Sequence, residues 1–270
     1  MEEEYDLVLK KVKRKKRVFL TIVIFTALFA ALFHKGNIIM NVEYGFVPGW
    51  AFAVIFAVAF VSAVIVGISN SILIKKILRY ECDPVKYLYV YENNLSARQR
   101  TNPPTDLTVV RCIAFFDSGD FTNAREEAKK LIGTKKEFLG YYVLLKTAYL
   151  ENRTEEFLEL YPLFAGSVET SPEKNVLGAL ISLAAFLNDA VTGEKQDVIK
   201  RAESFSLQTS DPYNTTVAAF FRGKVFLSCG EIDSAKECFE TAARTGGKLW
   251  FREESERLLE EIGKDGSTKK

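Results

Sequence analysis

Residues 212–245, PYNTTVAAFFRGKVFLSCGEIDSAKECFETAART, decide the fold class. They read as two helices, Pro212–Cys229 and Ile232–Arg244, folded back at a tight turn on Gly230. Gly223 lets the two helices touch and Phe226 fills the space between them. Ala235 and Ala242 keep the second helix close, and Phe239 is expected to pack onto the next unit. The same plan extends outward. Thr105–Ser118 pairs with Phe121–Ile132, Lys135–Glu151 with Thr154–Phe164, and Pro172–Asp189 with Lys195–Phe205, while a last helix, Lys248–Ile262, stands alone. No run alternates as a strand would. The turns fall near Gly119, Asn152, Gly193 and Gly230, at spacings of 33, 41 and 37 residues. Helix pairs repeating at that period are the signature of a solenoid, and the chain is expected to be all-α.

The order Gly223, Phe226, Gly230, Ala235, Phe239, Ala242 resembles a tetratricopeptide repeat: small residue, aromatic, turn glycine, alanine, aromatic, alanine. Ala219, Arg222 and Gly247 stand where that family prefers tryptophan, leucine and proline. Phe115, Gly119, Asp120, Phe121 and Ala124 resemble the same turn, and the other two pairs match in length and periodicity. The resemblance implies a repeat domain over 105–262, with a final helix polar on one side as a cap, and a frayed tail at 263–270. It also implies a concave groove lined by the first helix of each pair. Phe116, Tyr142, Lys146, Tyr149, Phe220, Lys224 and Leu227 would line it. Two lysines among aromatics suit an extended peptide or an acidic tail, the rings supplying apolar area and the ammonium groups holding a carboxylate. The other reading of these positions is core packing for the tyrosines and solvation for the lysines. The family's full carboxylate clamp, which adds asparagines, is not visible.

Ahead of this domain the chain changes character. Val18–Phe33 is sixteen residues without a charge and Tyr44–Ile74 is thirty-one, in a chain of 270 residues that is 48% hydrophobic with a net charge of +1. About 20 apolar residues of helix cross a bilayer. Two spans are therefore expected, about 18–34 and 49–72, joined by the short loop Gly36–Val47. A signal peptide fits less well, since small residues do not stand three and one before a cut anywhere in Thr21–Phe33. Seven of the eight residues 10–17 are Lys or Arg, and Lys75, Lys76 and Arg79 follow the second span. This bias sets both termini in the cytoplasm and the chain in the cell membrane as a multi-pass protein. The basic run, 1–17, is read as topogenic and as touching anionic lipid rather than nucleic acid, because no aromatics interleave it. Ala59, Ala63, Gly67 and Ser71 form a face of small residues for packing within the hairpin or for homo- or hetero-oligomer contacts. Residues 75–104 connect, with a short helix from Pro84 to Asn93 and a break at Asn102–Pro103–Pro104.

Catalytic groups are sparse. The single histidine, His34, sits at the expected outer interface, which removes Ser–His–Asp, Cys–His and histidine–zinc arrangements from the cytoplasmic part. Cys82, Cys112, Cys229 and Cys238 contain no C-x-x-C pair and read as small reduced core residues. No nucleotide cradle is present. Glu126–Glu127 and Glu155–Glu156 read as surface charge. Beyond residue 74 there are 28 basic and 30 acidic residues, so nucleic acid has no electrostatic footprint there. No metal, cofactor or enzymatic activity is expected. The expected function is a membrane-anchored scaffold or adaptor for a protein or peptide partner; the alternative is a subunit or assembly factor of a membrane complex, held through the hairpin.

Overall fold

The computed structural model describes residues 2–39, 49–96, 99, 103–207 and 211–267. Among the described residues there are thirteen helices, one of them a single 3-10 turn, and no strand. The chain is all-α. It divides into two compact units, Met1–Lys75 and Lys76–Lys270. The helices are α1 (Glu2–Ile39), α2 (Gly49–Arg79), α3 (Pro84–Asn93), α4 (Thr105–Asp117), α5 (Phe121–Leu131), α6 (Glu137–Leu150), α7 (Thr154–Glu169), a 3-10 turn (Lys174–Val176), α8 (Gly178–Thr192), α9 (Lys195–Ser204), α10 (Pro212–Cys229), α11 (Ile232–Thr245) and α12 (Trp250–Ser267).

In the second unit, consecutive helices pack as antiparallel pairs, α4 with α5, α6 with α7, and α10 with α11. Left-handed backbone makes the turns: φ is +82° at Gly119, +55° at Asn152 and +80° at Gly230. Only glycine, and to a lesser degree asparagine, adopts that conformation at low cost, so these residues stop one helix and release the next. Gly193 instead ends α8 in extended backbone, with φ −85°. Asp120 caps α5 through Asn123 N–H, and Asp211 caps α10 through Asn214 N–H, so each helix start is satisfied by a side-chain oxygen. Within the α10–α11 pair, a Cβ on Gly223 would lie 2.6 Å from the Phe239 ring. Phe239 thus packs back onto its own partner helix, where it was expected to reach the next unit. Ala235 and Ala242 are fully buried beneath it.

Two boundaries differ from expectation. The helix expected from Pro172 begins at Gly178, because the Ser171 hydroxyl accepts the Glu173 N–H and holds a local turn there. The tail is helical as far as Ser267, supported by the Arg257 pairs with Glu254 and Glu261. Residues 268–270 lie outside the described set.

The array does not stay open. Phe251 of α12 packs 5.9 Å from Phe116 on α4 and 5.0 Å from Phe220 on α10, centroid to centroid. Trp250 meets Phe121 edge-on at 4.9 Å, and its ring lies where a Cβ on Gly119 would be, 2.3 Å away. The last helix therefore closes onto the first pair. Burying Phe116, Phe220 and Phe251 completely stabilises the closed form by about 1.5–3 kcal/mol each. A second closure joins the loop before α12 to the turn before α3. Lys248 donates its N–H to Cys82 C=O at 2.9 Å and its ammonium to Asp83 at 2.7 Å.

In the first unit, α1 is one helix of 38 residues and carries the expected basic segment and first span without a break. Tyr5, Leu9 and Val12 are buried on one face. The expected second span lies on α2. Of the expected loop, residues 40–47 lie outside the described set, as do the side chains of 29–39, Ala59, Ala63, Gly67 and Ser71. Among the described residues no helix is long and apolar enough to cross a membrane.

Candidate functional site in the closed core

Closure changes what the expected groove residues do. Phe116 and Phe220 have no exposed surface and Lys146 is 4% exposed. They form the centre of the second unit, not the lining of an open groove. The reason is packing: α12 supplies two aromatic rings to the inner side of α4 and α10, leaving no room for a peptide. Phe116, Tyr142 and Lys146 do come together. The Lys146 ammonium sits 3.8 Å from the Phe116 ring centroid and 4.6 Å from that of Tyr142. Tyr149 joins Phe220 indirectly, through Phe221 at 6.0 Å. Lys224 and Leu227 are partly exposed and take no part in these ring contacts.

The residue that turns this cluster into an electrostatic site is Asp117, at the last turn of α4. It is fully buried, its Oδ1 accepts the Tyr213 hydroxyl at 3.3 Å, and its Oδ2 has no hydrogen-bond partner among the described residues. The first helices of three pairs thus meet at one point: α4 through Phe116 and Asp117, α6 through Tyr142 and Lys146, α10 through Tyr213.

Burial dominates the ionisation of every member. Desolvation pushes the Asp117 carboxyl up to about 6, against the opposing pull of Lys146 and the Tyr213 hydrogen bond. Desolvation also lowers the Lys146 ammonium to about 8, while Asp117 and Cys112 resist that fall. Tyr142 and Tyr213 are raised by burial first and by Asp117 second. Cys82 and Cys112 are pushed up to about 12 by burial. A lysine with a lowered pKa is a recognised nucleophile type. Here two ring faces cover it, and no carbonyl compound can reach an ammonium 4% exposed unless the core opens.

The remaining charges are structural. Glu127 was expected at the surface but is 8% exposed and takes the Lys130 ammonium at 2.7 Å; Glu126 is exposed. Glu156 pairs with Arg125 at 3.0 Å, tying α5 to α7. All four cysteines are buried and free. Among the described residues, no three His, Cys, Asp or Glu side chains gather as a metal site. A cleft of about 300 Å³ lies between the end of α3 and α4, lined by Glu92, Asn93, Leu95, Pro103, Leu107 and Arg111. Its one cation, Arg111, is already held by Glu92 at 2.7 Å.

Asp117, Tyr213 and the Trp250–Phe251 pair are the participants that sequence reasoning missed. Asp117 and Tyr213 are 96 residues apart, and no local pattern links them. The one available signal was an acidic residue directly after Phe116, just before the turn at Gly119. No family model, no curated protein and no solved structure matches this chain.

Proposed function

We propose that this chain is a membrane-anchored helical adaptor, a tetratricopeptide-like scaffold held at the cytoplasmic face where it retains a protein partner. One observation carries the anchoring. Val18, Leu20, Ile22, Val23, Ile24, Phe25 and Leu28 are exposed on α1, and Val54, Val58, Phe60, Val61, Val64 and Ile65 on α2, at 37–71%. At 100° per residue the α1 set points to every side of its helix and the α2 set covers a face about 160° wide. Apolar surface of that extent is stable against lipid and costly against water. The basic residues before α1's apolar part and after α2's support cytoplasmic termini.

The scaffold part of the reading is supported by the helix pairs and the left-handed turns between them. With the inner core filled, the surface open to a partner is the exterior of the second unit. A tether confines such a partner to the membrane plane and raises its effective concentration. The reading assigns no catalytic role and no cofactor.

Alkaline carbonate extraction together with protease treatment of intact cells tests this. The chain stays in the membrane fraction, and protease cuts residues 75–270 only after the cells are opened. Release into the supernatant, or cleavage of that region from outside, overturns the reading. Burial of the groove residues also supports the alternative, a subunit or assembly factor of a membrane complex contacted through Ala59, Ala63 and Gly67. In that case Ala63→Ile abolishes co-purification of the partner; under the adaptor reading co-purification survives.

A further inference from the structure

The charges of the two units are treated differently. In the second unit most arginines and many lysines meet a carboxylate: Arg111 with Glu92, Arg125 with Glu156, Lys136 with Glu173, Arg201 with Asp189, Lys248 with Asp83. On α1, Lys10, Lys11, Lys13, Arg14, Lys15 and Arg17 carry no ion pair and no side-chain hydrogen bond, and all but Lys15 are well exposed. Six cations stand within eight residues, about 11 Å of helix axis, with no ion pair to any of them among the described residues.

Their arrangement identifies the counter-charge. Because α1 is continuous from Glu2 to Ile39, each side chain has a fixed direction. At 100° steps the six cations spread over an arc of about 200°, and the side left over carries Tyr5, Leu9 and Val12, which are buried. No acidic residue stands between Lys10 and Arg17, so the open side of the helix is cationic across its width. The exposed apolar residues begin at Val18, directly after Arg17, so the basic arc lies at headgroup depth when Val18–Leu28 lie in hydrocarbon. A layer of anionic headgroups bordering hydrocarbon meets both features at once, as a nucleic acid does not.

We propose that the basic arc of α1, within residues 10–17, is a binding site for anionic phospholipid headgroups, selecting them over zwitterionic ones. This rests on the membrane anchoring proposed above. Each basic residue near an anionic surface favours the bound state about fivefold, and salt weakens the effect within a Debye length.

The full chain in mixed micelles of phosphatidylglycerol and phosphatidylcholine at equal content, read by native mass spectrometry of retained lipid, tests it. Wild type retains phosphatidylglycerol at least tenfold over phosphatidylcholine. Lys10→Gln, Lys13→Gln, Arg14→Gln and Arg17→Gln together bring the ratio close to one, and raising salt from 50 to 500 mM moves wild type the same way. Lys195→Gln with Lys200→Gln, on the exposed face of α9, leaves the ratio unchanged. Equal retention by wild type, or a preference that survives the four substitutions, overturns the proposal while leaving the anchor intact. So does tighter capture by a single-stranded oligonucleotide than by phosphatidylglycerol vesicles. A chain that associates with vesicles of neither lipid defeats the anchoring itself, which separates the two failures.

Discussion

Replacing Lys146 by methionine and Asp117 by asparagine together should leave the second unit standing at pH 7. Both groups are desolvated: the carboxyl is raised from 3.8 to about 6 and the ammonium lowered from 10.5 to about 8. At about 1.4 kcal/mol per pKa unit, holding each group charged costs the fold about 3 kcal/mol. The signs follow from linkage. The carboxyl's folded-state pKa is raised, so its contribution is fully present below its ordinary pKa and is lost as pH rises through about 6. The ammonium's folded-state pKa is depressed, so its contribution is present above its ordinary pKa and is lost as pH falls through about 8. Between about pH 6 and 8 both are charged, and their joint contribution is at its lowest. The two groups are not joined as an ion pair, so neutral side chains of similar size at both positions lift the desolvation cost, and the double variant is neutral or stabilised by about 1–4 kcal/mol. Urea unfolding of the full chain in micelles, followed by Trp250 fluorescence in a Trp50→Phe background, measures this. The expected pattern is a double variant at or above wild type at pH 7. Wild type should then gain on the double variant by about 2 kcal/mol as pH falls from 6 to 4. A double variant well below wild type at pH 7, or a difference that does not change with pH, refutes the desolvation reasoning.

Other tests address closure and core chemistry. Gly119→Ala meets both a φ of +82° and a Cβ 2.3 Å from the Trp250 ring, so it should destabilise by about 2–4 kcal/mol in the same urea assay. Gly223→Ala, where the Cβ would lie 2.6 Å from Phe239, should cost about 1–3 kcal/mol through overpacking alone. Asp83→Ala removes an N-cap, which accepts Lys86 N–H at 2.9 Å, together with the Lys248 pair, and should lower stability by about 1–2 kcal/mol. A thiol-reactive dye should label none of the four cysteines in the native chain and all four after unfolding, since burial hides Cys82, Cys112, Cys229 and Cys238. Rapid native labelling of Cys112 would show the core open in solution.

The helices were legible because they are local. Gly119, Asn152 and Gly230 mark turns by the backbone conformation they alone tolerate cheaply, and Ala235, Ala242 and Gly223 mark a close helix pair by their size. The apolar surface of α1 and α2 was equally plain, because a charge-free run needs no tertiary context to be read. The start of α8 was misplaced because a side-chain hydrogen bond at Ser171 competed with helix, an event invisible to periodicity.

What the sequence by itself determined is the all-α class, the pairing of neighbouring helices and the charge asymmetry around α1. Each depends on residues within a turn or two of one another. Only the tertiary structure decided that the inner faces of α4, α6 and α10 form a closed core around Lys146 and Asp117. Whether a solenoid of helix pairs stays open depends on small rotations added from pair to pair, and no local pattern records their sum. Here that sum brings Trp250 and Phe251 onto Phe121 and Phe116, more than a hundred residues earlier, and buries Lys146 and Asp117 where a groove was expected.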